Sequence, residues 1–105
     1  MPQPVFSKTR TFMPCEYERL RELVGQQVVV DTDSHHLYIG KLALIDSEVL
    51  ELTEADVHDS QTTTTSRDLY IINTAKLGIK KNREHVLVRT ARVLSLSRLQ
   101  DVTRY

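Results

Sequence analysis

Between Val24 and His58 the apolar residues fall into three short blocks separated by turn-forming residues. The first, Gln26 to about Thr32, carries the continuous run Val28-Val29-Val30. The second, His36 to Ile45, has Gly40 in its middle. The third, Glu48 to about His58, places Leu50 and Leu52 on one parity and Ala55 and Val57 on the other. Blocks of this length predict three consecutive antiparallel strands, with Asp33-Ser34-His35 turning between the first two. The parity change requires one extra residue near Thr53–Glu54, which is a β-bulge. A glycine inside a strand marks sharp bending or close backbone approach. Bulge and glycine together roll a short sheet into a barrel.

A different period precedes these strands. Tyr17, Leu20, Leu23 and Val24 share one helical face. Pro14 stands at the mouth of that helix, Glu16 and Glu18 lie in its first turn, and Gly25 suits its C-terminal cap. A helix of about nine residues does not persist alone, so it must pack on the sheet. Residues 1–14 hold all three prolines and read as an extended lead-in.

After the third strand, residues 59–83 form a long connection. Within it, Ser66-Arg67-Asp68 followed by Leu69, Ile72, Ala75 and Gly78 predicts a capped helix. The β-branched run Tyr70-Ile71-Ile72 is the argument for a strand instead. Two further strands follow, Val86 to Arg89 and Ala91 to Ser97. Val86-Leu87-Val88 does not alternate, as expected of a strand covered on both faces. In so short a chain a neighbouring copy would supply one cover, with Val86, Leu87, Val88, Val93 and Leu94 at the contact. Residues 98–105 read as a tail whose Leu99 and Val102 dock locally. The domain proper is expected to span 15–97, mostly β with an N-terminal α-helix.

Length and composition narrow the class. A chain of 105 residues, 40% hydrophobic and 27% charged, suits one soluble domain. No apolar run reaches the ~18 residues needed to cross a bilayer. The start of the chain lacks the apolar block of a secretory signal. A lone Cys15 makes no internal disulfide, so the cytoplasm is the expected compartment. The net charge of zero hides an asymmetry. Residues 1–75 carry six Lys/Arg against twelve Asp/Glu, net −6, whereas 76–105 carry eight against two, net +6. A local basic footprint is therefore available without an overall one.

The order of helix, three bent strands, variable connection and two short strands resembles the Sm-like family of ring-forming RNA-associated proteins. The residues carrying the likeness are Gly25, Val28, Val30, Gly40-x-Leu42, Asp46, Leu50-x-Leu52 and Ala55, then Arg89-Thr90-Ala91-Arg92-Val93-Leu94-Ser95-Leu96. The resemblance implies a strongly bent five-stranded antiparallel barrel that assembles with itself into a hexamer or heptamer and binds RNA. The short turn Asp46-Ser47-Glu48-Val49 looks like the bacterial host-factor branch. The asparagine that reads uracil in other members is missing, and Glu48 stands near the base-stacking position, where a carboxylate repels phosphate. The glycine of the second motif is Thr90. The resemblance thus implies an RNA-binding ring with a non-standard uridine pocket.

The RNA-contact residues implied are Asp46, Ser47, Glu48, Arg89 and Thr90, with Lys80, Lys81 and Arg83 as a basic edge tracking a nucleic-acid backbone. Asp46 also has the turn-ordering role open to it. Arg89 is open to pairing with Asp46, and the basic edge to being plain solvated surface. A second function class is a protein-interaction scaffold docking partners through residues 66–78. An enzyme is not expected, because phosphate-loop, nucleophile-elbow and spaced Cys–His patterns are all missing. No cofactor is expected. His35-His36 with Asp31 and Asp33 suggests a metal, but adjacent strand histidines point to opposite sides, so no metal site is expected. Glu51 and Asp56 read as exposed acids protecting a strand edge.

Overall fold

The computed structural model describes residues 14–62 and 65–103, with side chains in the first helix from Glu18 onward. The proline-rich lead-in before residue 14, the side chains of Cys15 and Tyr17, and the end of the tail lie outside the described residues. The elements run α1 (Pro14–Arg21), β1 (Gln27–Thr32), β2 (His36–Ile45), β3 (Val49–Asp59), α2 (Arg67–Leu77), β4 (Arg83–Arg89) and β5 (Val93–Arg98). A 3-10 turn, Thr90–Arg92, joins β4 to β5, and another, Leu99–Asp101, follows β5. The five strands form one antiparallel sheet in the order β4-β3-β2-β1-β5.

The sheet bends where the sequence marks it. Ile39 pairs with Asp56 and Lys41 with Thr53, so Glu54 and Ala55 together oppose Gly40. Glu54 takes a positive φ of 47°, as one residue of a bulge often must. A Cβ at Gly40 would sit 3.0 Å from both the Cα and the Cβ of Ala55 and 3.1 Å from the Thr53 carbonyl. Only glycine admits that approach. A second shift, between Leu42 and Leu44 on β2, and a third, between Asp31 and Thr32 on β1, add to the curl.

Curling gives the sheet an inside. Val28, Val30, Leu42, Ile45, Leu50, Leu52, Ala55 and Val88 form a buried cluster there, closed by Leu20 and Leu23 of the α1 segment. Each fully buried leucine contributes about 1.5–3 kcal/mol relative to exposure. The sheet's other side is covered as well. Val29, Leu37, Ile39 and Leu99 form a second cluster, packed against Tyr70, Ile71 and Ala75 of α2 and against Ile79 and Val102. Leu99 and Val102 do dock. Residues 66–78 are helical: the Ser66 hydroxyl accepts the Leu69 N–H (3.2 Å), and the N–H of Gly78, with φ 91°, donates to the Thr74 carbonyl (2.8 Å). The strong caps outweigh the β-branched run.

Several expectations need correction. Helix α1 ends at Arg21, not at Gly25. Residues 22–25 continue as tight turns, and the Gly25 N–H donates to Leu42 O (2.7 Å), so this glycine starts the sheet rather than capping the helix. Val24 is exposed, not part of the apolar face. In β4, Val88 is buried and Val86 half-buried, while Leu87 is 66% exposed, so the strand does alternate within one chain. Asp56 is buried, not an exposed edge acid. No helix among the described residues is long and apolar enough to cross a membrane.

Gly40→Val is expected to lower unfolding stability by about 1–3 kcal/mol through overpacking against Ala55, measured by urea denaturation.

Candidate functional site

Two turns distant in sequence are joined at one end of the barrel. The Asp46 carboxylate accepts the N–H groups of Glu48 (2.8 Å) and Val49 (2.9 Å), and the Asp46 N–H donates to Val49 O (2.9 Å). These bonds, first that from Val49 and then that from Glu48, hold its carboxyl below the ordinary carboxylate range. Asp46 therefore orders the β2–β3 turn. Thr90 ties the second turn to the first: its N–H donates to Glu48 O (3.0 Å) and its hydroxyl to Asp46 O (2.9 Å). The 46–48 turn thus lies beside Thr90, and Arg89 precedes Thr90 in the chain.

Arg89 stands directly opposite Val49 in the β3–β4 ladder. It is exposed, and its guanidinium bonds to none of the described residues, Asp46 included. Arg89 and Arg92 line a groove of about 290 Å³ that also takes in His36 and Tyr38. Tyr38 is half-buried against the inner cluster. Arg92 itself is engaged, donating to the Asp33 carboxylate at 2.8 Å. Glu48 is exposed at the turn tip.

The basic edge lies elsewhere. Ala55 pairs with Arg83 while Val49 pairs with Arg89, and six residues of strand span about 20 Å. Lys80, Lys81 and Arg83 are therefore at the far end of β4 from Arg89. Lys81 is committed to Glu84 (2.9 Å), a hydrogen bond that pushes its ammonium above the usual lysine range. Arg83 donates to the Asn82 carbonyl (2.9 Å).

A polar network that the sequence concealed sits between β3 and α2. The Tyr70 hydroxyl and Asn82 Nδ2 (3.1 Å) both donate to Asp56. Asn82 Oδ1 accepts the Val57 N–H (3.0 Å), and the His58 ring stacks on Tyr70 with centroids 3.9 Å apart. Residues so far apart in sequence carry no local signal of this. Their pairing depends on α2 lying over the sheet.

The chain thus combines five antiparallel strands curled by a glycine-facing bulge, a short N-terminal helix, and two turns latched together at the barrel end. The chain has an Sm-like fold. It superposes on the Sm protein of Pyrococcus abyssi in complex with a uridine heptamer with a TM-score of 0.55 at 14% identity, over 78% of this chain and 94% of that one. An Sm-like protein, Af-Sm2, from Archaeoglobus fulgidus gives 0.51 at 17% identity, over 86% and 99%. A chain of the NatC complex bound to CoA gives 0.50 at 18% identity, over 80% and 94%. No protein-family model and no curated protein matches the sequence. At these identities the likeness is one of fold. Helix α2 lies over the sheet and builds the second hydrophobic cluster.

Burial, then the hydrogen bond and charge of Asp56, push the Tyr70 phenol well above the ordinary tyrosine range. A raised folded-state value gives stability that is complete below the unfolded value of about 10 and is lost as pH rises beyond it. In urea denaturation across pH, the stability difference between the natural protein and Tyr70→Phe is expected to hold steady below about pH 10 and to shrink above it.

Proposed function

We propose that this protein is a cytoplasmic, ring-forming RNA-binding module whose contact with the strand runs through Arg89 rather than through a standard uridine pocket. It acts by binding, not by catalysis. The observation that carries the reading is the latch between the 46–48 and 89–92 turns, beside which the Arg89 guanidinium, uncommitted among the described residues, lines a groove containing Tyr38 and Arg92. An exposed arginine and an aromatic ring are the chemistry that single-stranded nucleic acid takes. The exposed Glu48 carboxylate, beside the same turn, disfavours phosphate where a stacking residue would stand. The bound uridine heptamer of the Pyrococcus Sm protein makes RNA the natural ligand class to test.

Assembly follows from the sheet edges. β4 and β5 end the strand order, and each has one in-chain neighbour. Leu87 on β4 and Leu94 on β5 are 66% and 69% exposed. Pairing β4 of one copy with β5 of the next is a head-to-tail contact, which makes a ring when the rotation closes. An apolar cleft of about 420 Å³ between α1 and β5, lined by Leu20, Ile45, Val93 and Leu96, gives the β5 edge a seat for its neighbour. Ring closure would repeat Arg89 around one rim.

Light scattering on the purified protein is expected to give about six or seven copies per particle. Labelled oligo(U) and oligo(A) are expected to bind with an affinity that falls as salt rises. Arg89→Ala should weaken both and lower the salt slope by about one for each subunit touching the strand. A folded monomer, or affinity indifferent to Arg89 and to salt, defeats the proposal.

A second reading is favoured by the outer side of α2, where Leu69 and Leu77 are exposed. There the same barrel is a protein-interaction scaffold, a role in keeping with the fold's presence in the NatC complex. Because the inner side of α2 is built into the second cluster, the test is substitution rather than deletion. Leu69→Lys with Leu77→Lys should leave the fold intact and remove co-purifying proteins; an unchanged set counts against the scaffold.

A further inference from the structure

We propose that His35, His36 and Asp59 form a binding site for a borderline-soft divalent metal ion such as zinc. In a strand, neighbouring side chains point to opposite faces, and that rule argued against a shared ion. It does not apply here. His35 lies in the β1–β2 turn, and His36 opens β2. Both imidazoles turn toward Asp59, the direct cross-strand partner of His36. His35 Nε2 is 3.6 Å from one Asp59 oxygen, and His36 Nε2 is 3.7 Å from the other. One donor atom from each residue can be chosen so that no two are farther apart than 4.8 Å.

Those distances suit an ion better than they suit direct bonds. Both exceed the reach of a good N–H···O hydrogen bond. Bonds of about 2.0–2.1 Å in a tetrahedral zinc site place ligand atoms about 3.3–3.4 Å apart. Each nitrogen–oxygen distance, one to Asp59 Oδ1 and the other to Oδ2, is within a few tenths of that, so either oxygen can share an ion with the imidazole nearest it. The imidazole rings have centroids 4.6 Å apart and a tilt of 35°, and side-chain rotation would close the third, nitrogen–nitrogen edge. All three side chains are half-exposed, so an ion and its remaining water ligands have access.

The backbone around the donors is pinned in advance. The His35 carbonyl accepts the N–H and the hydroxyl of Ser60, both at 3.0 Å. The His36 N–H donates to Ser34 Oγ (3.1 Å), and the His36 carbonyl accepts from Thr32 Oγ1 (2.8 Å). Asp59 Oδ1 accepts the Gln61 N–H (2.9 Å), which orients the carboxylate, as outer-shell partners do in metal sites. The acids first grouped with these histidines are occupied elsewhere: Asp31 bonds Arg67 and Asp33 bonds Arg92. Two imidazoles and one carboxylate favour zinc, copper, nickel or cobalt over calcium or magnesium, which take oxygen ligands. The site lies at the opposite end of β2 from Asp46; His36 also borders the groove that Arg89 lines, but the metal reading does not rest on the RNA reading.

Calorimetric titration of tag-free protein with zinc chloride, without RNA, tests it. Saturable binding of one zinc per chain in the micromolar range is expected. His36→Gln, His35→Gln and Asp59→Asn should each weaken it at least as much as the ~10–100-fold that loss of an outer-shell partner costs, with circular dichroism confirming that each variant is folded. His85→Gln, which removes the exposed histidine paired with Glu51, should leave it unchanged. Binding no tighter than millimolar, or binding that survives His35→Gln or His36→Gln intact, overturns the site.

Discussion

The sheet holds its shape because Gly40 lies against Ala55 with no side chain between them. With Glu54 and Ala55 bulged opposite Gly40, β2 and β3 can fold over the Leu42, Leu50 and Leu52 side chains. A flat sheet of the same strands would bury one face poorly, and its latch between the 46–48 and 89–92 turns would not form. The bend is therefore upstream of both the inner core and the candidate RNA-contacting end. It is a steric constraint, and the apolar burial supplies the free energy that holds it.

Polar side chains then fix what the bend brings near. Asp46 and Thr90 fasten two turns to each other. Arg67 fastens α2 to Asp31 and to the Ser34 carbonyl, and the Tyr70–Asp56–Asn82 network fastens it to β3. Asp56 is buried, and a buried carboxylate is tolerated only when its oxygens are satisfied. Here a phenol and an amide satisfy them.

Much of this is legible along the chain. The strand blocks, the bulge after Thr53, Asp46 as a turn-former, and the caps Ser66 and Gly78 all act through neighbours a few residues away, so local pattern reveals them. What stays hidden is non-local. Asp56 reads as a surface acid until α2 is laid across it. Leu87 reads as doubly covered because an unbroken apolar run does not say which residue faces out. His35 and His36 read as divergent until the turn places one of them outside the strand. Gly25 reads as a helix cap, since positive φ alone does not distinguish ending a helix from starting a strand.

The cover over the back of the sheet changes how the chain packs. With α2 and the Leu99–Val102 segment shielding one side and the α1 segment closing the other, the single chain has a two-sided interior. Both sides of the sheet are thereby closed by residues of the same chain, so the order in which the chain packs is set by its own helices and tail rather than by the sheet alone.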